Sequence, residues 1–358
     1  MTMILARAFE KYPQSKAPFL YKQYAKWADI KPLSGLRLLH HVPLVQNTLL
    51  KIACLVSAGA DVVVTNPSCV RACPEAIAML AQDNIEFVID MHSLKRESFD
   101  IHMDCAAELL DGFKPPLIGT VELTGTGDML YRKSKPSFPV ISIDRSLTKQ
   151  LETVFGMAVS ALLSLQHITR QAMTDKVWVI FGFGKIGRGI AYCCKRHGIR
   201  AIVVDITEEA KNKATELNIE YVDACDFLAV EAALNKSDVV ITATGVASAL
   251  SAYPKSWFQG KMLGNMGVLD EFGDQYAPDE IFNNKQAMNF VLEDPTPVEY
   301  VDPELFLHNE VALDLIHLPL ACGVHDITQE RDSMMIEQWC QYHQVERNDI
   351  ESWFVQYR

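Results

Sequence analysis

A strand that runs directly into a glycine-rich turn constrains this chain more than any other feature. Residues 176–187 read KVWVIFGFGKIG, a buried apolar strand followed by three glycines in the spacing GxGxxG and then by a helix. Gly182 permits the tight turn, Gly184 lets the backbone approach a pyrophosphate, and Gly187 allows the helix to pack closely on the strand. The segment therefore predicts a Rossmann-type dinucleotide site, with the diphosphate at the N-terminus of the helix.

The acid that follows this turn indicates which dinucleotide binds. Asp205 ends the next predicted strand, IRAIVVDI over 199–206, and no arginine follows it in the sequence Ile-Thr-Glu-Glu. A carboxylate in this place accepts hydrogen bonds from both ribose hydroxyls and repels a 2′-phosphate. NAD is therefore predicted rather than NADP. In the first turn of the helix, Lys185 and Ile186 are further candidate contacts of the cofactor.

Later strands of the same domain supply more candidate cofactor contacts. SDVVITATG over 237–245 and MLGNMG over 262–267 read as two such strands. Small residues where a strand ends allow the backbone to line the ribose of a cofactor. The candidate contacts are Thr242, Thr244, Gly245, Met266 and Gly267. An ordinary turn at the end of a strand remains the alternative interpretation of 242–245.

Short β-branched runs alternate with amphipathic stretches along the chain, which predicts an α/β fold. Strands alternating with helices imply mostly parallel sheets covered by helices. In the first half, strands are predicted at 37–43, 60–66, 86–90, 100–104, 117–122 and 138–144, with helices over 44–58 and 74–84.

The length of the chain, 358 residues, suits two domains better than one core. A long apolar helix over 146–170 is predicted to connect a first domain, residues 1–150, to a Rossmann NAD-binding domain, residues 151–327. The segment 328–358 is predicted to return to the first domain or to pack on a neighbouring subunit. Each domain would contain its own sheet, with the functional site in the cleft between them.

Composition excludes several classes of function. With 33 basic and 45 acidic residues the net charge is −12, which argues against nucleic-acid binding. No apolar run approaches the roughly 18 residues that span a bilayer, and the N-terminus does not resemble a secretory signal, so a cytoplasmic location is predicted. The nine cysteines form no CxxC pair, and no metal site is predicted. The binding partner that we expect is a small-molecule substrate.

Several segments together resemble the S-adenosylhomocysteine hydrolase (adenosylhomocysteinase) family, remotely, from about residue 35 to about residue 270. GFGKIGRGIAYCCKRHGIRAIVVDI resembles its NAD segment, LTKQLETVFG its catalytic-lysine segment, VELTGTGDMLY its Glu-Thr-Thr-Thr-Gly segment, and NMGVLDEF its Asn-Ile-Gly-His-Phe-Asp turn. The resemblance implies a substrate domain followed by a Rossmann domain. It also implies that bound NAD+ oxidises the 3′-hydroxyl of a substrate ribose, so that a neighbouring group is eliminated and exchanged.

Matching this chain to the family position by position implies a set of site residues. Lys149 matches the lysine beside the 3′-hydroxyl, although a solvated lysine in the first turn of a helix is the simpler interpretation. The implied acids are Glu122 for the substrate ribose, Asp104 at the end of a strand, and Glu152 after the lysine. The implied NAD contacts outside the glycine turn are Thr124, Thr126 and Thr153.

Departures from the family pattern leave three hypotheses open. Val268 stands where the family has a catalytic histidine, Pro43 aligns with another histidine while His40 and His41 lie just before it, and the Asp-Asp-Gly-Gly-Asp turn is absent. The chain is a divergent enzyme that recycles bound NAD, an ordinary NAD-dependent dehydrogenase, or an NAD-binding sensor without turnover. A nucleoside or thioether substrate and a homo-oligomer are what the resemblance suggests.

Overall fold

Two parallel sheets, one in each of two units, form the framework of the protein. The computed structural model describes residues 5–68 and 70–356. The first unit comprises Met1–Lys149 and Val298–Arg347, and the second comprises Gln150–Pro297 and Asn348–Arg358. Every recorded strand pair in both sheets is parallel, as the alternation of strands and helices predicts, so the α/β fold class with two helix-covered sheets is confirmed.

The sheet of the first unit has seven strands in the order β12-β6-β5-β4-β1-β2-β3. Its strands are β1 (Arg37–His41), β2 (Asp61–Thr65), β3 (Glu86–Phe87), β4 (Ile101–Asp104), β5 (Gly119–Glu122), β6 (Pro139–Ser142) and β12 (Gly323–Asp326). The strand order reverses direction between β1 and β4. In parallel sheets a ligand usually binds beyond the carboxyl ends of the strands at such a reversal.

Helices cover this sheet and begin where the sequence favours it. Pro18 occupies the first turn of α2 and Pro74 that of α4, where a missing N–H costs nothing. The helices of the unit are α1 (Leu5–Lys11), α2 (Pro18–Ile30), α3 (Thr48–Ser57), α4 (Pro74–Gln82), α5 (Gly125–Ser134), α6 (Leu147–Gln150), α11 (Val298–His317) and α12 (Gln329–His343).

The second unit contains a five-stranded sheet in the order β11-β10-β7-β8-β9. Its strands are β7 (Val177–Phe181), β8 (Arg200–Asp205), β9 (Glu220–Asp223), β10 (Val239–Thr242) and β11 (Met262–Asn265). Its helices are α7 (Met157–Thr169), α8 (Lys185–Arg196), α9 (Glu208–Glu216) and α10 (Phe227–Asn235), and the short α13 (Arg347–Glu351) leads into the last segment of the chain. The strand order reverses at β7 and β10, which places the glycine turn after β7 at the reversal.

The predicted long helix over 146–170 is interrupted by a π-helical turn. Leu151–Gly156 forms this turn between α6 and α7. A Cβ at Gly189 of α8 would lie 1.7 Å from the carbonyl oxygen of Val154, so the glycine permits the bulging backbone to approach α8. The whole stretch Leu147–Thr169 is long and apolar enough to cross a membrane, but 56% of it is buried in the protein, as in a core helix.

The C-terminal boundary of the second domain differs from the predicted one. Residues return to the first unit at Val298 rather than at 328, and the segment from Asn348 belongs to the second unit. The sequence patterns did not predict α11 because Pro303 and five acidic residues interrupt its apolar pattern. They also did not predict β12, which pairs with β6 at the edge of the sheet.

Two carboxylates from the returning segment cap helices that lie much earlier in the chain. Asp302 in α11 accepts hydrogen bonds from the N–H groups of Phe19 and Leu20, both at 2.9 Å, in the first turn of α2. Asp332 in α12 does the same for the first turn of α6, accepting from the N–H of Leu147 and of Thr148. The segment that returns to the first unit is therefore held there by buried polar contacts as well as by apolar packing.

We predict that Asp302→Ala lowers the free energy of unfolding by about 2–3 kcal/mol, because it leaves two buried N–H groups of α2 without an acceptor. Asp29→Ala, which removes an exposed acid from the same helix, should change it by less than about 0.5 kcal/mol. Urea unfolding followed by circular dichroism measures both. Equal effects of the two substitutions would contradict the capping role.

Candidate functional site

The glycine turn of the second unit has the geometry that the sequence predicts. Gly182 has φ of +93°, and a Cβ there would lie 2.4 Å from the carbonyl oxygen of Ala243. A Cβ at Gly187 would lie 1.9 Å from the carbonyl oxygen of Gly182. At Gly184, by contrast, a Cβ would meet nothing within 4 Å. Two glycines are thus required by packing, and the third borders open space where a diphosphate can lie.

The N-terminus of α8 offers a place for that diphosphate. Gly184 is the N-cap and has no side chain to satisfy the N–H groups of the first turn. Lys185 and Ile186, both half-buried, form that turn together with Gly187. N–H groups at a helix N-terminus carry partial positive charge and bind phosphate oxygens. The residues present therefore fit the diphosphate of a dinucleotide.

Asp205 lies at the end of β8, half-buried, beside this turn. One carboxylate oxygen accepts from the N–H of Phe183 at 2.7 Å, and the other accepts from the N–H and hydroxyl of Thr207 at 2.9 and 2.8 Å. These hydrogen bonds hold both the glycine turn and the side chain of Asp205 in place. Each carboxylate oxygen can accept a further hydrogen bond, so the group suits recognition of ribose hydroxyls.

The turns after β10 and β11 are joined by a buried acid, Glu271, that the sequence patterns did not predict. Glu271 accepts hydrogen bonds from the N–H and hydroxyl of Thr244, at 2.8 and 2.7 Å, and from the N–H of Gly245 at 2.8 Å. A Cβ at Gly267 would lie 2.2 Å from its Oε1, which explains a glycine there. Burial raises the pKa of Glu271. Its position after NMGVLD, in an irregular loop, gave no signal of this role.

Asn265 completes the link between these two turns. Its Oδ1 contacts the hydroxyl of Thr242 at 3.0 Å and accepts from the N–H of Gly267 at 3.0 Å, while its Nδ2 donates to the carbonyl of Leu269 at 2.7 Å. Met266, also predicted to contact the cofactor, has a buried side chain. Val268, on the same loop, is 78% exposed.

We predict that Gly184→Ala and Gly187→Ala separate cofactor binding from folding. The first adds a methyl group only to open space, so the melting temperature without NAD should not change while the dissociation constant for NAD rises at least about tenfold. The second drives a Cβ into backbone and should lower the melting temperature itself. Calorimetry and titration with NAD measure both quantities. Unchanged NAD affinity in Gly184→Ala would place the diphosphate elsewhere.

Two buried acids stand side by side at the carboxyl ends of β4 and β5 in the first unit. Asp104 and Glu122 are register partners on neighbouring strands, and neither is exposed to solvent. Asp104 accepts from the N–H groups of Cys105 and Leu109 and from the hydroxyl of Tyr131 at 2.6 Å. Both acids are therefore bound to protein donors rather than directed into solvent.

Glu122 holds the loop that follows β4. It accepts from the N–H groups of Ala106 and Ala107, both at 3.1 Å, and from the N–H and hydroxyl of Thr124, both at 2.7 Å. Ala106 and Ala107 have φ of +64° and +55°, the left-handed region that favours glycine. The carboxylate compensates the strain of this conformation with one hydrogen bond to each alanine N–H.

Burial changes the charge state of the acid pair. It raises the pKa of Glu122 to about 7. It also raises the pKa of Asp104 well above its usual value, and the neighbouring charge of Glu122 adds to that shift. Glu122 therefore changes its charge near neutral pH, and Asp104 keeps its proton to a higher pH than an exposed aspartate does. A carboxyl group with a pKa near 7 can hold or release a proton at the pH at which enzymes work.

The predicted NAD contacts at the start of α5 and in the π-helical turn have different surroundings. Thr124 caps α5 and accepts from the N–H groups of Ala106 and Gly127, so its hydroxyl belongs to the network of Glu122. Thr126 is exposed in the first turn of α5. Thr153, half-buried, lies in the π-helical turn of the second unit. Their roles as NAD contacts stay predictions.

Lys149 forms a buried ion pair with a residue that the sequence reading missed. Its Nζ lies 2.8 Å from Oε1 of Glu304 on α11, and the two side chains are 8% and 2% exposed. A solvated lysine, the simpler interpretation of the sequence, is therefore wrong. Glu152 belongs to the second unit, where its Oε1 accepts from the hydroxyl of Thr296 at 3.3 Å. The four predicted catalytic residues thus divide between the two units.

Histidines lie at the end of β1, next to the reversal of the sheet. His41 contacts the hydroxyl of Thr65 through Nδ1 at 2.7 Å and Glu108 through Nε2 at 3.3 Å. His40 is fully buried, and burial holds its pKa well below the usual value. Among residues 5–68 and 70–356, no cluster of three His, Cys, Asp or Glu side chains could hold a metal ion.

We predict that Glu122→Gln flattens the dependence of stability on pH. Because the folded pKa is raised, the group stabilises the fold fully below about pH 4.5 and loses this contribution as pH rises through about 7. In the wild type, the free energy of unfolding should fall in this window by at most about 1.4 kcal/mol per pH unit because of Glu122, and in the variant this fall should be absent. Urea unfolding at several pH values measures it. Exposed Glu86→Gln should keep the wild-type slope, and an unchanged slope in Glu122→Gln would contradict the shift.

Comparison with known proteins supports an NAD-binding domain in this chain. Residues 153–277 match the family described as S-adenosyl-L-homocysteine hydrolase, NAD binding domain. S-inosyl-L-homocysteine hydrolase of Methanopyrus kandleri is 25% identical over 285 residues, 73% of this chain and 66% of that protein. Adenosylhomocysteinase of Archaeoglobus fulgidus is 25% identical over 238 residues, 60% of this chain and 57% of that protein. Each match spans less than two thirds of the relative's length.

Solved structures resemble the chain more distantly. The phosphoglycerate oxidoreductase of Vibrio cholerae superimposes with a TM-score of 0.46 at 16% identity, over 79% of this chain and 99% of that one. The segment that matches the family contains the glycine turn, Asp205 and Glu271. The second unit is an NAD-binding domain, and the predicted cofactor and the predicted remote family resemblance are both confirmed.

Proposed function

We propose that this chain, a remote member of the S-adenosylhomocysteine hydrolase family, uses bound NAD+ to oxidise a substrate hydroxyl transiently and thereby promotes elimination or exchange at a neighbouring carbon. The observation that carries the proposal is the buried Lys149–Glu304 pair, at the position where the family has its lysine beside the reacting hydroxyl. The ion pair holds the lysine amine in a buried place beside a carboxylate, where it can be positioned against a substrate hydroxyl.

The proposal gives separate roles to the residues of the first unit. Lys149 takes the proton from the substrate hydroxyl and later returns it. Asp104 and Glu122, which bind loop amides, hold the 105–109 loop beyond β4 and thereby shape the site. Since burial raises the pKa of Glu122 to about 7, this pair can also store the proton that leaves the neighbouring carbon.

The names of the relatives support a thioether of a nucleoside as substrate. One is a hydrolase of S-inosyl-L-homocysteine and the other an adenosylhomocysteinase. The residue that would face the base differs from the family, since Asn47 replaces its glutamate, and Pro43 aligns with a histidine near the first substrate loop. We therefore propose a related thioether with an altered base or sugar.

Val268 favours a second candidate, an ordinary NAD-dependent dehydrogenase. Its exposed apolar side chain stands where the family has a histidine, and valine cannot transfer a proton. Without that group, the reaction could end at the oxidised product with release of NADH. Stoichiometry separates the two, because only the dehydrogenase consumes NAD.

The test is product analysis of the purified protein with NAD+ and, in separate reactions, S-adenosylhomocysteine and S-inosylhomocysteine. Nucleoside and homocysteine without net NADH would support the hydrolase. Net NADH with an oxidised nucleoside would support the dehydrogenase and overturn the hydrolase. Bound NAD without turnover of any thioether would overturn both and favour a sensor.

On the substrate so identified, we predict that Lys149→Met lowers turnover at least about 100-fold, because general acid–base catalysis typically contributes that much. Lys133→Met, which removes an exposed lysine of α5, should keep full turnover. Steady-state kinetics of both variants provides the comparison. Full turnover in Lys149→Met would remove the lysine from the mechanism.

A further inference from the structure

The charge partner of Lys149 lies about 150 residues away in sequence and is assigned by no comparison. Lys149 and Glu304 make a 2.8 Å ion pair whose side chains are 8% and 2% exposed. On the same helix, Glu299 makes a pair of similar length with Lys16, but there the side chains are 52% exposed for the lysine and 24% for the acid. Burying an ion pair costs desolvation that its attraction often fails to repay. A contribution to stability alone therefore does not explain the buried pair of Lys149 and Glu304.

Both backbones that carry the pair are held firmly. The N–H of Lys149 donates to the hydroxyl of Ser146 at 3.0 Å, and the start of α6 is capped by Asp332, which accepts from the N–H of Thr148 at 2.8 Å. Glu304 follows Asp302, the cap of α2, on the same α11 helix. With both helices fixed, the lysine amine is held at one point relative to the carboxylate.

Basic side chains lie near the ion pair, and Glu304 is its acidic partner. His308, one helical turn after Glu304, is fully buried, and burial together with the nearby charges of Lys51, His40 and Lys149 lowers its pKa well below the usual value. Lys51 from α3 donates to Oδ1 of Asn309 at 2.7 Å, and burial lowers its pKa as well. Among the described contacts, Glu304 pairs with Lys149 directly, and His308 of the same helix lies within electrostatic range of Lys149, Lys51 and His40.

We propose that Glu304 is the positioning residue for Lys149 and the acceptor of its proton, an inference that rests on the function proposed above. In the resting pair Lys149 is an ammonium and Glu304 a carboxylate. An Nζ–H bond of the lysine breaks as an O–H bond forms on Glu304, which leaves a neutral amine. The amine then takes the hydroxyl proton of the substrate, so one proton moves from substrate to Glu304, and the reverse transfers return it.

The first test measures Lys149 without any turnover. NAD-free protein is labelled with a trace of acetic anhydride over a range of pH, and mass spectrometry gives the midpoint at which Lys149 becomes reactive. Without its counter-charge, the ammonium in Glu304→Gln loses its proton more easily. The midpoint should fall by at least about one pH unit, a roughly tenfold gain in reactivity at fixed pH. An unchanged midpoint in a folded variant would overturn the proposal.

Two further variants provide the controls. Glu299→Gln removes the exposed ion pair on the same helix and should leave the midpoint of Lys149 unchanged. Glu304→Asp retains the charge on a shorter side chain, so its midpoint should stay closer to the wild type. Glu304→Asp also keeps the test decisive if Glu304→Gln does not fold. If the midpoint of Lys149 in Glu304→Asp equals its midpoint in urea-unfolded protein, the carboxylate has no influence on Lys149 and the proposal is overturned.

Turnover then distinguishes this inference from the proposed function. With the substrate identified by product analysis, kcat of Glu304→Gln should rise with pH through the labelling midpoint of its Lys149, because only the neutral amine can take the hydroxyl proton when Glu304 is absent. A labelling shift without this rise of kcat would overturn the role of Glu304 in the reaction. A labelling shift in a protein that turns over no thioether would refute the proposed function instead, while the pairing of the two residues would stand.

Discussion

Buried carboxylates that accept backbone N–H groups hold the strand-end loops of this protein in place. Parallel sheets bring the carboxyl ends of their strands to one edge, where the chain must turn away and its amides lose their partners. In the first unit Glu122 satisfies the amides of two alanines in left-handed conformation. In the second unit, buried Glu271 accepts from the N–H groups of Thr244 and Gly245, and half-buried Asp205 accepts from the N–H of Phe183. Each acid makes possible a backbone shape that its loop could not keep alone.

The same acids connect the fold to its chemistry. A carboxyl buried enough to hold a loop is also buried enough for its pKa to rise, as the value of about 7 for Glu122 illustrates. Structural and chemical roles therefore do not compete at this position. A substitution there that removes activity need not identify a group that touches the substrate, and separate measurements of stability and turnover are needed.

The sequence was most informative where chemistry depends on residues close together in the chain. The strand, glycine turn, helix and acid of the NAD site follow one another, and each glycine of the turn meets the constraint expected of it. Glu271 and Glu304 could not be found in this way, because their partners are 26 and 155 residues distant. Pro303 and the acids around it also hid α11, since a helix that buries Asp302 and Glu304 has no simple apolar stripe.

The two caps that Asp302 and Asp332 provide also bear on how the chain folds during synthesis. The second unit is nearly continuous, so most of it is available once residue 297 has left the ribosome. The first unit, although synthesised earlier, lacks α11, α12 and an edge strand until almost the whole chain exists. Until then, β5 and β6 lack the contacts that α11 makes with them. The first unit therefore completes its native contacts only after the segment that matches the NAD-binding family has been synthesised, and an incomplete sheet exposes apolar surface during that time.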